Sequence, residues 1–235
     1  AVDTPDEAAA AGLAANLASI SGLGLKLGLE FFGALGPAGV RAVRAAAPTT
    51  PIFLDLKFHD IPNTVAGVIK SVVPLQPTLL TLHSSGGPAM MRSAVAAATE
   101  AAEQCGCTRP QLLAVTVLTS MDDGDLGAVG QSTPAEAQVV RLAQLAQECG
   151  MDGVVCSARE IEPIRKACGA AFTLVVPGIR PAGSDHGDQK RVVTPGAAIT
   201  SGATSLVVGR PISQAPEPVQ AAAAILEEIS AAAMK

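Results

Sequence analysis

Two spacings of apolar residues alternate along this chain. Short continuous runs cover 24–28, 51–57, 79–83, 112–118, 154–156, 172–176 and 205–208, and they read as buried strands. Longer Ala- and Leu-rich stretches with apolar positions three and four apart lie at 6–19, 37–47, 61–73, 88–103, 133–148, 158–167, 195–201 and 216–233. These read as helices. Thr4-Pro5-Asp6-Glu7 supplies a cap and first-turn acids for the first helix, and Pro48 ends the second. Ala1-Val2-Asp3 reads as the last part of a strand that starts before Ala1 and terminates in a carboxylate. Eight short strands alternating with helices imply a parallel sheet with helices outside, and eight repeats in 235 residues fit a closed barrel better than an open sheet. The expected fold is α/β, a (β/α)8 TIM barrel forming a single domain over 1–235.

The apolar pattern breaks at the C-terminal ends of the strands. Asp3, Lys26, Asp55, Lys57, His83 and Thr119 stand there, with Arg180 and Arg210 just after the last two strands. In such barrels the active site is built on that rim, from the loops that follow the strands. The densest break is P-I-F-L-D-L-K-F-H-D-I-P-N-T at 51–64. Strand alternation puts Asp55 and Lys57 on one face, about 7 Å apart along the backbone. Asp60 follows where the chain turns into a helix. An ion pair plus a helix cap would account for the three charges structurally. Buried charges cost several kcal/mol unless paired, however, and they gather where chemistry needs them. The trio is therefore the leading catalytic candidate. His59 and His83 read as supporting groups, and His186 as solvated.

Composition narrows the class. A net charge of −5 and a pI near 5.2, with no long basic run, argue against a nucleic-acid partner. No apolar stretch approaches the roughly 18 residues that span a membrane. The acidic start A-V-D-T-P-D-E lacks the basic region of a signal peptide. Cys105, Cys107, Cys149, Cys156 and Cys168, scattered and odd in number, read as reduced thiols in the cytoplasm, with Cys105-Gly106-Cys107 as a helix end and its loop. No His, Asp and Cys set has metal-ligand spacing. Without Trp or Tyr, ligand recognition rests mainly on polar groups and backbone. The Gly/Pro-rich stretch 177–190 has the length and punctuation of a lid.

The ten residues D-L-K-F-H-D-I-P-N-T at 55–64 resemble the orotidine 5′-monophosphate decarboxylase family in its bacterial form. D-x-K-x-x-D alone is shared with other sugar-phosphate barrels; the full run is more specific. The resemblance continues through K-L-G-L-E-F-F at 26–32, H-S-S-G-G at 83–87, V-T-V-L-T-S at 115–120, D-G-V-V-C-S at 152–157, P-G-I-R-P-A-G at 177–183, G-D-Q-K-R at 187–191 and V-V-G-R-P-I at 207–212. It implies conversion of orotidine 5′-monophosphate to uridine 5′-monophosphate and CO2, without metal or organic cofactor, in pyrimidine nucleotide synthesis. It also implies a catalytic set of Lys57, Asp55, Asp60 and Lys26. Lys57 would protonate pyrimidine C6 and Asp55 would face the substrate carboxylate. Asp60, with Ile61 and Thr64, would reach across a homodimer interface. Lys26 and Asp3 would hold ribose hydroxyls and Thr119 the pyrimidine. Arg180, Gln189, Gly209 and Arg210 would hold the phosphate. The alternatives are a Mg2+-dependent sugar-phosphate decarboxylase or aldolase of the same superfamily, and a silent nucleotide-binding barrel. The latter would lack Lys57 or Asp55, and both are present.

Overall fold

The computed structural model describes residues 1–181 and 193–234. Among them seven strands form one parallel sheet in sequential order: β1 (Leu25–Leu27), β2 (Ile52–Phe58), β3 (Leu79–His83), β4 (Gln111–Val115), β5 (Gly153–Val155), β6 (Thr173–Val176) and β7 (Ser205–Leu206). The expected strand at the N-terminus is reduced to an isolated parallel bridge from Val2 to Leu27. Val2 N–H donates to the Lys26 carbonyl at 2.9 Å, and the Ala1 nitrogen reaches the Val208 carbonyl beyond β7 at 2.6 Å. Residues 1 and 2 thus touch both edges of the curled sheet.

Strand alternation separates two sets of side chains. Phe53, Leu113 and Val175, with Leu79, Val155 and Val207 packed against them, form a small cluster on the sheet's inner face. Leu54, Leu56, Leu80, Leu82, Leu112, Ala114, Val154 and Leu174 point the other way, into the large core shared with the helices. Burying a Leu or Val side chain contributes roughly 1.5–3 kcal/mol. A one-residue slip in any central strand would exchange the two sets.

The helices are α1 (Glu7–Leu17), α2 (Leu29–Ala46), α3 (Pro62–Val72), α4 (Gly87–Cys105), α5 (Asp123–Ala128), α6 (Ala135–Glu148), α7 (Ile161–Cys168), α8 (Pro195–Thr200), α9 (Arg210–Ser213) and α10 (Pro218–Ala233). Asp6 caps α1 by accepting from Ala9 N–H at 3.0 Å, as the Thr-Pro-Asp-Glu start predicts. Helix α2 begins earlier than expected. Its first half, before Gly36, was hidden by that glycine, whose φ of +56° interrupts the helix just ahead of Pro37. Helix α5 was not anticipated: it is six residues long, carries two glycines and is held by an Asp122–Asp125 capping box. In α4, Met90, Met91, Ala94, Ala97, Ala98, Ala101 and Ala102 form the buried stripe, and α4 packs closely along α3.

The reading of all five cysteines as thiols is corrected. Helix α4 ends at Cys105, and Gly106 adopts the left-handed conformation with φ +63°. That turn brings Cys107 back to within 5.4 Å of Cys105, Cα to Cα, and the two form a disulfide. Cys149, Cys156 and Cys168 are free and buried. Burial drives the Cys156 thiol far above its ordinary range.

One close approach is demanded by the sheet itself. A Cβ on Gly153 in β5 would sit 2.2 Å from the Thr173 carbonyl oxygen of β6. Gly153→Ala is expected to lower the unfolding free energy by about 2 kcal/mol or more, read from urea denaturation. An unchanged midpoint would contradict this packing.

Candidate active site

Strand β2 carries the centre of the site, and its geometry is not that of a plain strand. Pairing with β3 runs Phe53 to Leu79 and Leu54 to Leu80, then resumes at Phe58 to Leu82. Four steps along β2 therefore match two along β3. Lys57 absorbs the excess at φ +49°, one of two non-glycine residues in the described structure with positive φ. Left-handed backbone costs a non-glycine residue roughly 1–2 kcal/mol, and such outliers collect at functional sites. Simple alternation therefore fails at Lys57. The expected neighbourhood with Asp55 is met by another route, a turned backbone that folds the side chain onto the carboxylate.

Four alternating charges line up there. Lys57 Nζ lies 2.8 Å from Asp55 Oδ2, and the same oxygen is 3.6 Å from Lys26 Nζ. Lys26 continues to Asp3 Oδ1 at 3.4 Å. The Asp55 side chain is 12% exposed and that of Lys57 27%, so the inner pair is largely withdrawn from water while the cluster remains open to a ligand. The other Asp55 oxygen, Oδ1, accepts from the Thr81 hydroxyl at 3.0 Å. Lys57 N–H donates to that same hydroxyl at 2.9 Å. The apolar pattern marks Thr81 only as part of a buried strand. The available signal was a hydroxyl two residues before His83, in a run otherwise made of leucines.

His83, at the end of β3, stacks obliquely on His59 with ring centroids 5.3 Å apart. Burial, chiefly, holds the His83 imidazole below its ordinary pKa; His59 and Lys57 push the same way, and Asp55 opposes them.

The remaining candidates are distributed around the rim. Asp60 is exposed, and its Oδ1 accepts from the adjacent Ile61 N–H at 2.6 Å. Helix α3 starts at Pro62, with Ile61 as its N-cap and no side-chain cap, so Asp60 is not the capping residue the sequence suggested. Ile61 is 67% exposed, and Thr64 is exposed in the first turn. Thr119 does not close a strand, because β4 stops at Val115. Thr119 lies in the exposed turn beyond. Arg180 is buried: its guanidinium donates to the Ile179 carbonyl at 3.0 Å, and its N–H to the Val193 carbonyl at 3.2 Å. A freely solvated Arg180 is thereby excluded. Gly209 and Arg210 open the four-residue α9, with Arg210 exposed. Gln189, most of the expected lid and His186 lie outside the described residues.

A cavity of about 1350 Å³ opens at the opposite end of the sheet, beside Leu25, Ile52, Leu79, Gln111 and Ser205. Of the charged cluster only Lys26 reaches its lining, which contains no carboxylate or imidazole. It lacks an acid–base pair, and the strand ends bearing Asp55 and Lys57 remain the candidate site. Among the described residues, no group of three or more His, Cys, Asp or Glu side chains is placed to share a metal ion. None of the described helices is long and apolar enough to cross a membrane.

Comparison with known proteins gives the same direction. The chain is 52% identical over 230 residues to orotidine 5′-phosphate decarboxylase of Moorella thermoacetica, covering 97% of this chain and 90% of that protein. It is 53% identical over 229 residues to the enzyme of that name from Rhodospirillum rubrum, covering 97% and 92%. The crystal structure of orotidine 5′-phosphate decarboxylase from Lactobacillus acidophilus matches with a TM-score of 0.76 at 38% identity, over 87% of this chain and 85% of that one. A model of the orotidine 5′-phosphate decarboxylase / HUMPS family matches residues 1–225, and the chain belongs to that family.

Proposed function

We infer that this protein removes CO2 from orotidine 5′-monophosphate to give uridine 5′-monophosphate. The observation that carries the inference is the Lys57 ammonium held 2.8 Å from Asp55 at the C-terminal end of β2, with Lys26 on the same carboxylate. Relatives at about half identity along nearly the full chain, all bearing the decarboxylase name, support this branch of the family.

The chemistry asks for such a group. Loss of CO2 from pyrimidine C6 leaves a carbanion with no π system to spread into. An enzyme must supply on the order of 20 kcal/mol of differential transition-state stabilisation. A fixed ammonium beside C6 stabilises the developing charge and then delivers the proton that forms the new C–H bond. Lysine serves better than histidine because the ammonium persists at neutral pH. Asp55 aims the ammonium and faces the departing carboxylate. Two like charges about 4 Å apart repel by roughly 4 kcal/mol at an effective dielectric of about 20. Positioning of Lys57 is the main role of Asp55 in this reading.

Substrate contacts follow from the rim. Asp3 and Lys26 bind ribose hydroxyls, and Thr119 meets the pyrimidine. Arg180 and Gln189, from a lid at 177–190, and Gly209 and Arg210, after the last strand, bind the phosphate, and closure of the lid spends remote binding energy on excluding water. A homodimer brings Asp60, Ile61 and Thr64 into the partner's site. The exposed apolar Ile61 beside an exposed carboxylate supports a covered surface there. In the same reading the chain is one cytoplasmic domain, and Val2 takes the eighth position of a closed (β/α)8 barrel.

Lys57→Ala is expected to lower decarboxylation at least about ten-thousandfold while uridine monophosphate still binds. Residual activity above about a hundredth of wild type would remove Lys57 as proton donor. Mixing a Lys57→Ala chain with an Asp60→Ala chain is expected to restore activity through one competent site per mixed dimer; no recovery after verified subunit exchange would count against a shared site. CO2 release should continue at the same rate in excess EDTA. Loss of activity that Mg2+ restores would favour the enediolate chemistry of the sugar-phosphate branch.

A further inference from the structure

We propose that Thr81 is the positioning residue of this site: its buried hydroxyl fixes both the backbone of Lys57 and the carboxylate that Lys57 contacts. The proposal deepens the decarboxylase reading and rests on it for its kinetic consequence.

The argument starts from backbone accounting. Between Leu54 and Phe58, β2 advances four residues while β3 advances two, from Leu80 to Leu82. Residues 55–57 therefore lose regular ladder partners. A backbone N–H withdrawn from water must still find an acceptor. For Lys57 that acceptor is Thr81 Oγ1, at 2.9 Å. Thr81 is itself in β3 and has no exposed surface, so water cannot take its place.

The direction of each bond is forced. A backbone N–H can only donate, so the hydroxyl accepts from Lys57. A hydroxyl has one proton to give, and the remaining neighbour is Asp55 Oδ1, at 3.0 Å. One lone pair of Oγ1 and its single proton are both committed. Asp55 is thereby oriented with Oδ1 toward β3 and Oδ2 toward the ammonium groups of Lys57 and Lys26. The same atom holds Lys57 in its left-handed conformation, φ +49°, which a non-glycine residue leaves when released. A relaxed β conformation at Lys57 would no longer fix Nζ against Oδ2, although the two side chains would still share a face. Displacement of a reacting group by about 1 Å costs on the order of a hundredfold in rate.

Two substitutions and one measurement on the unaltered protein test this. Thr81→Val keeps the shape and removes the hydroxyl; it is expected to lower kcat about 30- to 100-fold with KM within about threefold of wild type. Thr81→Ser keeps the hydroxyl and is expected to retain at least about a third of the wild-type kcat. The Lys57 amide of the wild-type chain is expected to exchange its hydrogen slowly, as a buried, bonded N–H does. The proposal is overturned if the Val variant keeps kcat within about threefold, if the Ser variant falls as far as the Val variant, or if the Lys57 amide exchanges at the rate of an unstructured peptide. The exchange experiment needs neither a variant nor activity, so a Val variant that fails to fold leaves the idea open to refutation. A wild-type chain inert toward orotidine monophosphate would sink the decarboxylase reading separately.

Discussion

Holding an ammonium and a carboxylate together at the edge of an apolar sheet is the constraint on which this molecule turns. Each charge loses hydration on leaving bulk water, and the loss runs to several kcal/mol per ion unless geometry restores it. Here the restoration is distributed. Asp55 receives Lys57, Lys26 and the Thr81 hydroxyl on its two oxygens, and Lys26 is shared with the more exposed Asp3. The chain of alternating sign is neutral as a unit, so no single uncompensated charge is buried. It is also incomplete on its open side, because Lys57 keeps donor capacity that a substrate can take up.

The parallel sheet makes this arrangement possible by sorting side chains. Leucines and valines facing outward bind the sheet to its helices, while a small apolar cluster around Phe53, Leu113 and Val175 fills the inner face. Above that cluster the inward positions become polar: Asp55 follows Phe53 by two on β2, and Thr81 follows Leu79 by two on β3. The apolar layer supports the charges from beneath and leaves one direction of access. The carboxylate-free cavity at the other end of the strands belongs to the opposite mouth.

Much of this was legible in the residues. Eight apolar runs separated by helical periodicity predict a parallel α/β sheet, and seven of them are strands of it; the eighth survives as the Val2 bridge. The pairing of Asp55 with Lys57 was equally legible, since opposite charges on an apolar strand are costly to bury unless paired. What stayed hidden depended on backbone angles. The left-handed Lys57 has no sequence signature, because a lysine carries no preference for positive φ. Gly36 concealed the first half of α2, and the turn at Gly106 joins two cysteines whose spacing favours a helix end and its loop over metal or redox work. Thr119 illustrates a different failure: a continuous apolar run from 112 to 118 does not say where pairing stops, and β4 ends at Val115.

These two kinds of information meet at β2. A regular strand would have set Asp55 and Lys57 side by side on one face, a separation that a long lysine side chain can close but need not. The extra residues against β3 turn that permissive arrangement into a specific one. A strained backbone persists only where its surroundings over-determine it, and a buried hydroxyl with both hydrogen-bonding roles committed is a compact way to do so. Chemical identity and placement are therefore separable here: the D-x-K motif supplies the charged groups, and β3, through Thr81, supplies their geometry.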